Sequence, residues 1–173
     1  VTDERTDMVS FTGSPPVGRQ IASDAGMKMV TLELGNNSAT IVDEDANLDL
    51  AVQRVVAGGF ANSGQICISV QRVVVHQAVY DAFMERLVPA VAALKVGDPL
   101  DETTDVASLI NEGETERVKG WIEEAVDQGA TLATGGVDAD GRLRPTVLTD
   151  VTRDMKVCAR EVFGPVLSIL KAR

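Results

Sequence analysis

A short apolar run, Val9 to Phe11, ends in Thr12-Gly13-Ser14-Pro15-Pro16, and a second run, Met29 to Leu34, follows one helix length later. This constrains the fold more than any other feature. Ser14 suits a helix N-cap, and Pro15 suits the first helical position, where no amide hydrogen is needed. The helix should reach about Ala25, with Gly26 as its stop. Met29 to Leu34 reads as a second, buried strand, and Ala39 to Val42 as a third, before the acidic turn Asp43-Glu44-Asp45. Strand, helix, strand in this order favours parallel pairing with a right-handed crossover.

The alternation continues. From Leu48 the residues Ala51, Val52, Val55 and Val56 recur at helical spacing, and Ser63-Gly64 closes the segment, so Cys67 falls just beyond a helix end. Arg72 to His76 is a β-branched strand, and Val79, Ala82, Phe83, Leu87, Ala90, Val91 and Leu94 trace one face of a helix that Pro89 should kink. Lys95 to Leu100 reads as a loop. Asn111 with Glu114 resembles a capping box ahead of Val118, Ile122 and Ala125. Thr131 to Ala133 and Val166 to Leu170 are β-type runs, with a turn at Asp140-Gly141. The expected class is α/β, a three-layer, mostly parallel sheet flanked by helices.

A length of 173 residues suits one main domain. Lys and Arg total 16 against 26 Asp and Glu, a net charge of −10 that repels phosphate backbones and anionic lipid heads, so neither nucleic acid nor a membrane is expected as partner. No stretch approaches the roughly 20 apolar residues needed to cross a bilayer. The opening residues lack the layout of a secretory signal, and two cysteines make neither a disulfide framework nor a zinc pattern. These features predict a soluble protein of a reducing cytoplasm that binds no metal.

Four places could carry chemistry. Gly13-Ser-Pro-Pro-Val-Gly18 spaces two glycines as in a nucleoside-triphosphate loop, but Arg19 and Gln20 follow where Lys and Ser or Thr belong. A helix start after a strand still offers amide hydrogens to a phosphate, although an ordinary capped helix explains the same residues. Cys67 follows the small, polar run Asn62-Ser63-Gly64-Gln65, which leaves a thiol partly accessible, whereas most lone cysteines, Cys158 among them, fit the core. A Cys67–His76 hydrolase dyad would need a tight turn, because a β-type run carries the imidazole away at about 3.3 Å per residue. Glu33, between Leu32 and Leu34 at a strand end, is either a solvated carboxylate or a base poised for water, and Glu161 either a surface ion-pair partner or a hydroxyl acceptor.

Phe11-Thr-Gly-Ser14, Leu32-Glu-Leu-Gly35, Gly64-Gln-Ile-Cys67 and Glu161-Val-Phe-Gly-Pro165, in this order and spacing, closely resemble the aldehyde dehydrogenase superfamily along the whole chain. The resemblance implies that residues 1–35 are a remnant of a dinucleotide-binding domain and residues 36–173 the cysteine-bearing catalytic domain. It implies Cys67 as nucleophile and Glu33 as the base that activates the hydrolytic water. It implies NAD or NADP as cofactor, with Gly13 and Ser14 at the pyrophosphate, Gly18 letting the helix pack closely, Glu161 on the nicotinamide ribose and Phe163 beside the ring. A small aldehyde as substrate and a homo-oligomer are implied in the same way.

Two departures stand out: Asn36 replaces the second glycine that usually follows Leu-Glu-Leu-Gly, and Cys158-Ala159 stand where many relatives carry charge. Full-length relatives add an N-terminal section with most of the nucleotide-binding sheet and the oxyanion-hole asparagine, so the chain is expected to be a fragment, inactive by itself. A non-catalytic binding or assembly domain and a cysteine hydrolase are the rival readings.

Overall fold

A computed structural model describes residues 1–173, which divide into two compact units, Val1–Asn36 and Asn37–Arg173. The first is a βαβ unit. Strand β1 (Met8–Thr12) leads into helix α1 (Pro15–Asp24) and returns as β2 (Met29–Glu33), parallel to β1 with Thr12 opposite Glu33. Ala25 ends the helix and Gly26 takes φ +62, a conformation that costs glycine no Cβ clash. The expectation of a buried second strand is corrected here. Residues of β2 alternate between exposed and half-buried, and Met29 is 66% exposed, because this unit has only two strands and one helix to cover them.

The second unit holds a five-stranded sheet in the order β3-β4-β7-β6-β5, formed by β3 (Ala39–Val42), β4 (Arg72–His76), β5 (Thr131–Val137), β6 (Leu143–Thr149) and β7 (Val166–Ala172). All neighbours are parallel except β5 and β6, which form an antiparallel hairpin. Helices cover both faces. On one side α2 (Leu48–Phe60) and α3 (Tyr80–Ala92) bury Val55, Phe83, Leu87 and Val91 against Val73, Val75, Leu167 and Ile169. On the other, α4 (Glu112–Asp127) and the short α5 (Lys156–Ala159) bury Val118, Ile122 and Val157 against Leu148 and Val166. A fully buried side chain of this kind contributes about 1.5–3 kcal/mol relative to its exposed state. The central strand β7 is buried on both faces, which is why it reads as an unbroken apolar run. The expected three-layer, mostly parallel α/β architecture is therefore present.

Local signals place the helices. Asn47 and Asn111 cap α2 and α4, accepting the Leu50 and Glu114 amides at 3.1 and 2.8 Å. Helix α3 runs on past Pro89 to Ala92, since a proline so near the C-terminus removes only one internal hydrogen bond. Strand β6 and helix α5 lie where the sequence reading expected no element. Pro145 inside β6 disguises it, and the neighbouring Thr146 amide is taken by the Pro165 carbonyl at 2.9 Å. Strand β5 extends beyond the expected Thr131 to Ala133 because Gly135 and Gly136 adopt φ +87 and +80 within an irregular register. No helix is long and apolar enough to cross a membrane.

Candidate active site

Cys67 is set on a short stretch between α2 and β4, and the chain reaches it through an unusual turn. After Phe60 a 3-10 segment, Ala61–Gly64, contains three successive left-handed residues, Asn62, Ser63 and Gly64, at φ 49, 58 and 73. For a non-glycine residue this conformation costs roughly 1–2 kcal/mol, so neighbours must hold it. The Ser63 hydroxyl is buried and does so: it donates to the Ala107 carbonyl and accepts the Ala107 amide, both at 3.0 Å. Asn62 donates from its side chain to the Gln65 carbonyl at 3.2 Å, and the Gln65 side chain accepts the Ile110 amide at 2.9 Å. The Ser69 amide closes a further turn onto the Ile66 carbonyl at 3.0 Å. Cys67 emerges from this scaffold exposed, with Ile68 beside it 79% exposed.

Cys158 is the opposite case. Its side chain is fully buried, and burial pushes its thiol up from the ordinary value, although Arg72 beside it works in the other direction. Arg72 and Asn37 tie this region together: the guanidinium donates to the Asn37 carbonyl, and the Asn37 side chain donates to the Cys158 carbonyl at 3.0 Å. Only one of the two thiols is therefore placed to meet a reagent from solvent.

The turn before Cys67 also meets the loop that carries Glu161 and Phe163. A Cβ built on Gly64 would stand 2.2 Å from the Gly164 carbonyl oxygen, closer than any side chain tolerates. Phe163 has φ +52 and is 40% exposed, while Glu161 is half-buried. Within the second unit the fold thus gathers Cys67, Glu161 and Phe163 onto two abutting loops. His76 goes elsewhere. It ends β4, about 13 Å of strand from the end that follows Cys67 at about 3.3 Å per residue, with Nδ1 accepting the Ala78 amide at 3.3 Å and standing 3.9 Å from the Glu44 carboxylate.

In the first unit, Gly13, Ser14 and Glu33 lie together at the C-terminal ends of β1 and β2, where the Gly13 amide donates to the Glu33 carbonyl at 3.0 Å. Glu33, Gly13 and Ser14 are exposed. Gly18 is buried, and a Cβ there would meet Leu34 Cδ2 at 2.5 Å, so the glycine lets α1 lie close on its strand. The helix start needs a correction. Ser14 occupies the N-cap position without a side-chain capping bond, and Pro15 and Pro16 remove two of the four amides that a helix start normally presents, leaving those of Ser14 and Val17. What this corner presents to a ligand is the Ser14 hydroxyl, which makes no capping bond, beside the bare Gly13 backbone.

A fold and thiol of this kind define an α/β unit with an exposed cysteine on a preorganised turn, and comparison with known proteins places it. The model of the aldehyde dehydrogenase family matches residues 1–173. The chain is 48% identical over 167 residues to 3-sulfolactaldehyde dehydrogenase of Priestia aryabhattai, covering 96% of this chain and 35% of that protein. It is 43% identical to lactaldehyde dehydrogenase of Methanococcus aeolicus, covering 99% and 37%. The crystal structure of glyceraldehyde-3-phosphate dehydrogenase GapN from Methanocaldococcus jannaschii, complexed with NADP, superposes with a TM-score of 0.95 at 41% identity, covering 100% of this chain and 38% of the other. The chain belongs to the aldehyde dehydrogenase family and spans a little over a third of the length of these relatives.

Sequence reasoning missed Ser63, Gln71 and Arg117, whose side chains brace the two loops. A signal existed for Ser63, a small polar residue before Gly64. Gln71 and Arg117 carry none, because their partners are backbone groups distant in sequence.

Proposed function

We propose that this chain supplies the nucleophile, the hydrolytic base and part of the cofactor site of an NAD(P)-dependent aldehyde dehydrogenase. The observation that carries the proposal is the exposed Cys67 thiol on a left-handed turn braced by Ser63 and by the Gly64–Gly164 approach. On this reading residues 1–35 are the end of the cofactor domain and residues 36–173 the catalytic domain.

The Cys67 thiolate adds to the carbonyl carbon of an aldehyde, giving a thiohemiacetal oxyanion that the Cys67 backbone amide helps to stabilise. NAD or NADP held by Gly13, Ser14, Glu161 and Phe163 would supply the hydride acceptor for that carbon. The carbon–sulfur bond remains, now as a thioester on Cys67. Glu33 takes a proton from water as the water adds to the thioester carbonyl, the carbon–sulfur bond breaks, and a carboxylic acid and the thiolate are released. Ser14 and Gly13 would hold the pyrophosphate, Gly18 seats α1, Glu161 would accept the ribose hydroxyls and Phe163 would pack beside the nicotinamide. A carboxylate able to activate water favours hydrolysis over transfer of the acyl group to another thiol.

The test is Cys67→Ala in the intact protein that contains this chain. NADH or NADPH formation from aldehydes should fall at least about a thousandfold, and ester hydrolysis with it, because both need the acyl-enzyme. Cys158→Ala should leave both nearly unchanged. Equal losses in the two variants would overturn the assignment.

A further inference from the structure

The loop that carries Glu161 and Phe163 is held at one residue, Val162, through the peptide groups on both of its sides. The Val162 amide donates to the side-chain oxygen of Gln71, a residue only 1% exposed immediately before β4. The Val162 carbonyl accepts Nη2 of Arg117 from α4 at 2.7 Å. Arg117 is itself fixed by two further groups, since its Nε donates to the Glu114 carboxylate at 2.7 Å and its guanidinium lies 4.7 Å over the Trp121 ring. The Val162 side chain is fully buried among the residues covered by α4. On the other flank, Gly164 is packed against Val118, which a Cβ would meet at 3.0 Å, and its carbonyl lies against Gly64.

Between these two anchored positions sits Phe163 at φ +52. A bulky residue stays left-handed only when its surroundings over-determine it. Neither hydrogen bond is needed to fill the core, which Val162 already does. The Gln71 bond fixes the peptide that leaves Glu161, and the Arg117 bond fixes the peptide that enters Phe163. A turn of the first would move Glu161, and a turn of the second would swing the Phe163 ring.

We propose that Arg117 and Gln71 are positioning residues that lock the two peptides flanking Val162, hold Phe163 left-handed and so preset Glu161 and Phe163 for the nicotinamide riboside end of the cofactor. The proposal rests on the function given above. Arg117 lies on α4, outside both loops, and its guanidinium is committed to Glu114, the Trp121 ring and the Val162 carbonyl, so it acts through the Val162 backbone.

The experiment uses Arg117→Met and Gln71→Met in the intact protein, with Arg117→Lys retaining one donor for the Val162 carbonyl. In Arg117→Met, KM for NAD(P) should rise about tenfold, the loss expected for a charge-assisted hydrogen bond, while KM for the aldehyde stays within about twofold. Gln71→Met should raise the same KM, and Arg117→Lys should restore part of the loss. Without cofactor, hydrogen exchange at the Phe163 and Gly164 amides should quicken about tenfold in Arg117→Met, and alkylation of Cys67 by iodoacetamide should keep its rate. Unchanged cofactor KM with unchanged exchange overturns the proposal. A uniform loss of kcat and both KM values with a lowered Tm overturns it too, as does insolubility of all three variants, because each makes these residues ordinary supports of the fold. An unmodified protein that oxidises no aldehyde overturns the function reading alone, since exchange reads the lock without cofactor.

Discussion

Gly64 and Gly164 touch backbone to backbone: the space for a Gly64 Cβ is already occupied, 2.2 Å from the Gly164 carbonyl oxygen. The two glycines are 100 positions apart, and the contact joins the turn before Cys67 to the loop after Glu161. Either loop could be drawn separately. Their mutual register comes from this approach.

Gly64→Ala meets two penalties, a left-handed φ of +73 and a collision with backbone that cannot rotate away. The strain costs about 1–3 kcal/mol, and forcing a methyl into a filled space a similar amount. Urea unfolding of the intact protein should show a loss of about 3 kcal/mol. Gly141→Ala, at φ +77 with nothing near its Cβ, should lose only the strain. Equal losses at the two positions would mean that the Gly64 contact is looser than described.

Cys158 gives a prediction about pH. Burial raises its folded-state pKa above the ordinary 9.0, so as pH climbs past that value the unfolded chain releases the thiol proton first. The stability that the buried neutral thiol contributes is complete below pH 9 and is lost as pH rises towards the folded pKa. Unfolding free energy measured from pH 8 to 10.5 should therefore fall less steeply in Cys158→Ala. Iodoacetamide at about pH 8 should label Cys67 and spare Cys158 until denaturant is added. Prompt labelling of both would contradict the burial.

Much of this was legible in the sequence for reasons specific to each element. Asn111 and Glu114 announce the start of α4 because capping is local chemistry, and the Val9–Phe11 run followed by Pro15 announces β1 and α1 through the proline's fixed backbone at the first helical position, with no capping bond from Ser14. The course of β6 was not legible. Pro145 argues against a central strand, and only the pairing of its neighbours with β7 and β5 overrides that argument. At the site, Cys67 could be singled out from the small residues before it, but the three consecutive left-handed residues could not, since Asn62 and Ser63 adopt that conformation through partners at Gln65 and Ala107. The burial of β2 was misjudged because an apolar strand reveals its composition and not what covers it.

Glu33 separates the two halves of the proposed reaction, and its substitution is the sharpest check on them. It stands exposed at the end of β2, its backbone carbonyl taken by the Gly13 amide at 3.0 Å, so the side chain can change without disturbing the strand pair. Glu33→Gln keeps size and polarity and removes the base. In the proposed reaction thiol addition and hydride transfer do not call on this carboxylate, and release of the acyl group does. Rapid mixing of the intact variant with aldehyde and cofactor should give one burst of reduced cofactor, close to one equivalent per Cys67, at a rate within about threefold of the unmodified protein. Turnover afterwards should fall by about 10²- to 10⁴-fold, the usual contribution of a general base. Intact-mass measurement during the stall should find the acyl group of the aldehyde on Cys67. A burst lost together with steady turnover would make Glu33 necessary for the thiol step instead, and undiminished turnover would remove it from the mechanism.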